Sequence, residues 1–177
     1  MATSTETSRE IPTKTRAVTF TQYGEVHEVT EVKTAPLREL GPDDVLVKTL
    51  VSPINPSDTS QIQGIYPSRP VFSKDFGETD TAIGGNEGLF EVLEVGKNVT
   101  TLKAGDWTMP GTISFGTWRS HSVVNVKGLS PALPIKGLAS PVQIATSNIN
   151  PVSAYQMLKD YVTLQPGDFF IQNGGNS

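Results

Sequence analysis

Leu164-Gln165-Pro166-Gly167-Asp168-Phe169-Phe170-Ile171-Gln172-Asn173-Gly174-Gly175 carries a turn, an apolar run and a glycine pair in that order. Pro166-Gly167 is a turn dipeptide, and residues 169–173 read as a short strand of the buried type. A buried strand running into glycines is how a doubly wound nucleotide-binding sheet begins, because a glycine loop lets backbone N–H groups approach a pyrophosphate. A glycine pair after a strand is more often a plain turn, so the unit alone leaves both readings open. Upstream, Val152, Tyr155, Met157, Leu158 and Val162 form a stripe at helical spacing, with Asn150 as cap before Pro151. Residues 138–146 repeat that spacing.

Before Pro134 the pattern is different. Residues 16–21, 26–32, 45–51, 89–95, 105–109 and 118–126 read as strands, with 26–32 as the second arm of a hairpin. Residues 45–51, with three valines and two leucines, suit a strand buried on both faces. Asn55-Pro56-Ser57-Asp58 starts a short helix that Gly64 stops: Asn55 caps, Pro56 suits the first position, and Asp58 faces the positive helix end. Short strands with regular turns predict a barrel-like β domain. The content of 16 glycines and 13 prolines agrees with many turns.

Composition removes several function classes. The 177 residues contain no cysteine, which excludes a disulfide framework, a thiol nucleophile and a zinc-finger-type site. His27 and His121, the two histidines, lie far apart in sequence. A net charge of −4 with no basic run argues against a nucleic-acid groove. No stretch approaches the roughly 20 apolar residues of a membrane span. Residues 1–14 hold six Ser or Thr and almost nothing apolar, and are expected to be disordered. Arg9 and Lys14 there are balanced by Glu6 and Glu10, which is neutral to slightly unfavourable for a mitochondrial transit peptide.

Three further motifs carry a family likeness. The first is Ser-Pro-Ile-Asn-Pro-Ser-Asp-Thr-Ser-Gln-Ile-Gln-Gly-Ile-Tyr-Pro-Ser-Arg-Pro over residues 52–70. The second is Gly85-Asn86-Glu87-Gly88-Leu89-Phe90-Glu91-Val92, and the third Phe115-Gly116-Thr117-Trp118. With Asn150-Pro151-Val152-Ser153-Ala154-Tyr155 and Phe170-Ile171-Gln172-Asn173-Gly174-Gly175, these resemble the mitochondrial, fungal-type 2-enoyl thioester reductases. That is a zinc-free branch of the medium-chain dehydrogenase/reductase superfamily. The resemblance covers residues 16–177. It implies a mixed α and β fold: a GroES-like, barrel-type substrate domain over residues 15–149. The first strand of a truncated Rossmann-type nucleotide-binding domain would follow over residues 150–177.

The superfamily's zinc enzymes carry Gly-His-Glu where this chain has Gly85-Asn86-Glu87, and they need a catalytic cysteine. Ligand chemistry therefore speaks against zinc. Asn86 and Glu87 read as a turn entering a strand. By itself Tyr66 reads as a half-buried loop tyrosine; the resemblance makes it the catalytic residue. Hydride addition to the β-carbon of an enoyl thioester pushes negative charge onto the thioester oxygen and α-carbon. A phenol is protonated at neutral pH and can hydrogen-bond that enolate or deliver a proton. The resemblance also assigns cofactor contacts to Asn150, Gly174, Gly175, Asn176 and Ser177. Trp118 reads as a structural aromatic, His121 as a packing or surface histidine, and Asp58 as a helix-terminus carboxylate.

What the resemblance implies is NADPH-dependent reduction of trans-2-enoyl thioesters, carried on acyl carrier protein or coenzyme A, in mitochondrial fatty acid synthesis by a homodimer. The expectation for the 177 residues alone is no catalysis, since the rest of the glycine loop and its helix lie beyond them. A quinone-reductase-like enzyme and a short, non-catalytic acyl- or partner-binding product are the alternatives.

Overall fold

In the computed structural model, residues 11–131, 137 and 139–173 are described. The expected disordered segment therefore lies outside them up to residue 10, and residue 14 already belongs to a strand. Strand β1 (Lys14–Phe20) pairs antiparallel with β2 (Glu31–Pro36) on one side and β4 (Ala82–Ile83) on the other. A second antiparallel sheet has the order β7 (His121–Asn125), β3 (Asp44–Val51), β5 (Leu89–Val95), β6 (Trp107–Pro110), β8 (Leu129–Pro131). Residues 118–120 join the two sheets. Val18 N–H donates to Trp118 O at 2.9 Å, Ser120 N–H to Arg16 O at 2.8 Å, and Thr49 N–H to Ser120 O at 3.0 Å. This closes the curled, barrel-like sheet that the turn spacing predicts.

Alternation explains the core. Val45 and Val47 of β3 and Phe90 and Val92 of β5 point inward onto Leu102 and Leu129, and the rings of Phe90 and Phe115 lie 5.3 Å apart. β3 is buried on both faces only over its first half, because Lys48 turns to solvent. A second cluster packs Leu89 and Met109 under Ile144 and Ala145 of α3 (Pro141–Ala145). Ser140 and Gln143 cap that helix reciprocally. A third cluster holds Phe20, Ile62 and Ala82.

Two expected elements differ. Residues 26–32 are not one hairpin arm: Val26–Val29 is a single helical turn, α1, and β2 begins at Glu31. Val26 and Val29, three apart, both pack against the Phe20 cluster, and Thr30 Oγ1 donates to Val26 O at 2.7 Å. A three-residue apolar spacing serves one helical turn better than a pleat. The second difference lies at 169–173, where no strand forms. Every described residue from 150 to 173 is exposed, including Phe169 at 96% and Ile171 at 99%. Among the described residues no neighbouring strand accepts this segment, and a parallel strand without partners has no ladder to hold it. The amphipathic helix α4 (Asn150–Asp160) does form, but its apolar stripe is uncovered.

Candidate functional site

Helix α2 (Pro56–Ile62) starts as its sequence dictates. Asp58 N–H donates to Asn55 O at 2.9 Å, and Asp58 Oδ2 accepts from Asn55 N–H at 2.7 Å. The helix stops at Gly64, whose φ of +77° suits glycine. A Cβ there would sit 2.8 Å from the Tyr23 ring. The chain then turns sharply, with Ile65 N–H and Tyr66 N–H both donating to Ser60 O. Arg69 lies over the Tyr23 ring at 5.3 Å and donates to Gly64 O, so the loop is pinned at its base. The result presents Tyr66 at 37% exposure, with Ile65 at 73% beside it. Among the described residues the phenol hydroxyl has no hydrogen-bond partner, so its donor is available to a bound molecule.

Below this loop runs a buried polar network that sequence reasoning did not foresee. Asn86 and Glu87 do form a bend entering β5, as expected, but they are 6% and 1% exposed. Asn86 Nδ2 donates to Asp58 Oδ1 and Gln61 Oε1, both at 2.7 Å, and its Oδ1 accepts from Ser114 N–H at 2.7 Å. Gln61 Nε2 donates to Ser68 O at 3.2 Å and Ser114 Oγ at 3.0 Å, which ties the Tyr66 loop to the network. Glu87 Oε2 accepts from Asn55 Nδ2 at 2.9 Å, and Oε1 accepts from Ile149 N–H at 2.7 Å. The only advance signal was four polar residues, Asn55, Asp58, Gln61 and Asn86, clustered in two glycine- and proline-flanked motifs.

Asn150 is placed differently from expectation. Ile149 occupies the cap position and Asn150 is the first residue of α4. Its side chain makes no cap bond; Nδ2 donates to Asn55 Oδ1 at 3.4 Å, because Glu87 draws the segment inward through Ile149 N–H. Asn150 therefore joins the same network as the Tyr66 loop. Gly174, Gly175, Asn176 and Ser177 lie outside the described residues. Trp118 is structural: its Nε1 donates to Pro53 O at 3.0 Å. Asp58 is a helix-terminus carboxylate and also a network member. His121 is partly buried, and burial, with Lys48 nearby, holds its imidazole below the usual value. Burial likewise pushes Arg119 down to about 10. Among the described residues, no group of three or more His, Cys, Asp or Glu is placed to hold a metal ion, and no helix is long and apolar enough to cross a membrane.

Known proteins resemble this arrangement. The chain is 48% identical over 174 residues to a mitochondrial enoyl-[acyl-carrier-protein] reductase of Candida tropicalis, covering 92% of this chain and 45% of that enzyme. The chain thus spans about half the length of the curated relatives it matches. A structure of an Etr1p mutant in complex with NADP and crotonyl-CoA superposes with a TM-score of 0.86 at 46% identity, covering 93% of this chain and 48% of that one. The Etr1p/Etr2p heterodimer of the mitochondrial 2-enoyl thioester reductase from Candida tropicalis superposes at 0.87, with 46% identity over the same shares. Residues 41–133 match the alcohol dehydrogenase GroES-like domain, more than half of the chain. Sheet order, the closed curl and this match agree, and the chain belongs to the alcohol dehydrogenase GroES-like domain family.

Proposed function

We propose that this chain is the substrate-side part of a mitochondrial trans-2-enoyl thioester reductase that uses NADPH and acts on acyl carrier protein or coenzyme A thioesters. The observation that carries the reading is Tyr66: an exposed phenol, without a hydrogen-bond partner among the described residues, on a loop whose motif lies within the 48%-identical match to an enoyl reductase. In this reading residues 15–149 form the substrate domain, residues 150–177 open the nucleotide-binding domain, and the complete protein is a homodimer.

A nicotinamide cofactor supplies hydride when bound. Asn150 fits a role in holding it, since Nδ2 has one long bond to Asn55 and Oδ1 has no partner among the described residues. Gly174, Gly175, Asn176 and Ser177 would follow on its phosphate side. Tyr66 then has one task. As the β-carbon gains hydride, the thioester oxygen becomes anionic. The phenol donates a hydrogen bond to that oxygen; its O–H proton then passes to the α-carbon and is replaced from water. A rigid loop base matters here, because a donor prearranged for the developing charge needs no reorganisation during reaction. The hydrogen bond from buried Gln61 to Ser68 O supplies that rigidity.

The test is NADPH oxidation against crotonyl thioester by the complete protein. Tyr66→Phe lowers turnover by about 10²-fold or more while leaving the fold intact, as loss of an acid or oxyanion donor does. Wild-type turnover in Tyr66→Phe would remove the assignment.

A further inference from the structure

We propose that Glu87 is a positioning residue whose buried carboxylate sets the orientation of the Asn150 side chain through Asn55, and so couples the Tyr66 loop to the start of α4. This rests on the reading above for what Asn150 does, but the coupling itself is a property of the network. Glu87 is 1% exposed, and no ion pair involving it is found among the described residues. A buried carboxyl group is costly to bury unless its oxygens meet fixed donors. Its two donors come from opposite sides: Asn55 Nδ2 from the head of α2, and Ile149 N–H from the residue before α4. The carboxylate is thus a strap between two elements that no strand pairing connects.

The strap also has a polarity. A carboxylate accepts at both oxygens, so Asn55 must turn Nδ2 toward Glu87. Its Oδ1 is then left for Asn150, which must present Nδ2. Asn150 Oδ1 is consequently directed away from Asn55 and available to a bound molecule. At the other end, Asn55 N–H is held by Asp58, Asp58 by Asn86, and Asn86 by the Ser114 N–H, whose donor leaves Asn86 no freedom to flip. Gln61 carries the same order to Ser68, two residues from Tyr66. The amide directions follow from the two acceptor oxygens of Glu87 and one backbone donor.

Glu87→Gln keeps the shape and reverses the polarity. The new amide accepts from Ile149 N–H through its oxygen and offers N–H₂ to Asn55. Asn55 then flips to present Oδ1 to residue 87, and its Nδ2 faces Asn150. Asn150 in turn exchanges its oxygen for its nitrogen. Asn150→Asp is the complementary change: its carboxylate clashes with Asn55 Oδ1 in the wild type and accepts from Asn55 Nδ2 once Glu87→Gln has flipped it.

The experiment is a double-mutant cycle in the complete protein over Glu87→Gln, Asn150→Asp and the pair, read in thermal midpoint and in NADPH dissociation constant. Glu87→Gln raises the NADPH dissociation constant about tenfold, the size expected for the loss of one hydrogen bond. Each single substitution lowers the midpoint, and the double variant regains at least half of the summed loss. Additive losses in both readouts would overturn the proposal and leave Glu87 as a fold-stabilising carboxylate only. If the wild type binds no NADPH, the enzymatic reading fails while the midpoint cycle still decides the coupling.

Discussion

Arg38 and Asp44 show how much a single side chain can carry at the end of a strand. The Arg38 guanidinium donates to Asp44 Oδ2, and Gly41 N–H donates to the same oxygen at 2.9 Å. The Arg38 hydrogen bond, helped by Gly41 and opposed by burial, holds the Asp44 carboxyl below its ordinary 3.8. His121 is depressed in a different way, first by burial and then by the Lys48 charge, from an ordinary 6.5. Both groups have folded values below their unfolded ones. The unfolded chain therefore binds more protons between the two values, and stability rises with pH across each window. For His121 the contribution is complete above about pH 6.5 and is lost as pH falls through the folded value. For Asp44 it is complete above about pH 4 and is lost further down. Urea midpoints of the protein should fall in two steps on acidification. His121→Gln removes the upper step. Arg38→Met lowers the midpoint by a constant amount between pH 7 and 5, and by less below about pH 4, where Asp44 is becoming protonated in both proteins. An Arg38→Met deficit that stays constant down to pH 2.5 would mean that the ion pair is not its source.

Elements divide into those whose partners lie within the described residues and those whose partners do not. β3 and β5 pair over six register positions, and their inward side chains, Val45, Val47, Phe90 and Val92, are all at or below 1% exposure. Short runs dense in Val, Leu and Phe between turn signals made these strands readable from sequence, as the Asn55-Pro56 start and Gly64 stop made α2. α1 was unreadable as a helix because four residues carry too little periodicity to separate a turn from a pleat. Residues 169–173 read as a strand for a sound local reason, their apolar run, but a strand is defined by its neighbours. Substitutions should report this difference. In the 177-residue polypeptide, Phe90→Ala should cost about 3–5 kcal/mol by leaving a void beside Phe115. Ile171→Ser, at a side chain 99% exposed, should stay within about 0.5 kcal/mol. Denaturant unfolding of both variants checks the contrast. A cost above about 2 kcal/mol for Ile171→Ser would mean that residues 169–173 are packed in solution.

At the scale of the whole molecule, the site brings together residues from 55 to 150. The short helix and the loop that exposes Tyr66 were legible from the Asn55-Pro56 start and the Gly64 stop, whereas the network beneath them was not. Asn86 and Glu87 look like turn residues in a linear reading, and only the closed sheet delivers Ser114 N–H, Asp58 and Ile149 N–H to them. That same network decides what chemistry the fold can host. A cation at the Asn86 position would need oxygen lone pairs turned toward it. Asn86 Oδ1 is occupied by Ser114 N–H, and its Nδ2 donates to Asp58 and Gln61. Both oxygens of Asp58 and both of Glu87 accept N–H donors. Binding a metal there would strip at least four hydrogen bonds from buried groups, each costing about 1–3 kcal/mol when left unmade. No cysteine is present to compensate as a thiolate ligand. On the proposed reading, the carbonyl polarisation that zinc supplies in related chemistry comes from a hydrogen-bond donor, the task given above to Tyr66. The complete protein, dialysed against a strong chelator, should therefore reduce crotonyl thioester at an unchanged rate, and added zinc should not accelerate it. Activity that disappears on chelation and returns with zinc would show that the network opens to a metal, and would displace Tyr66 as the group that meets the developing charge.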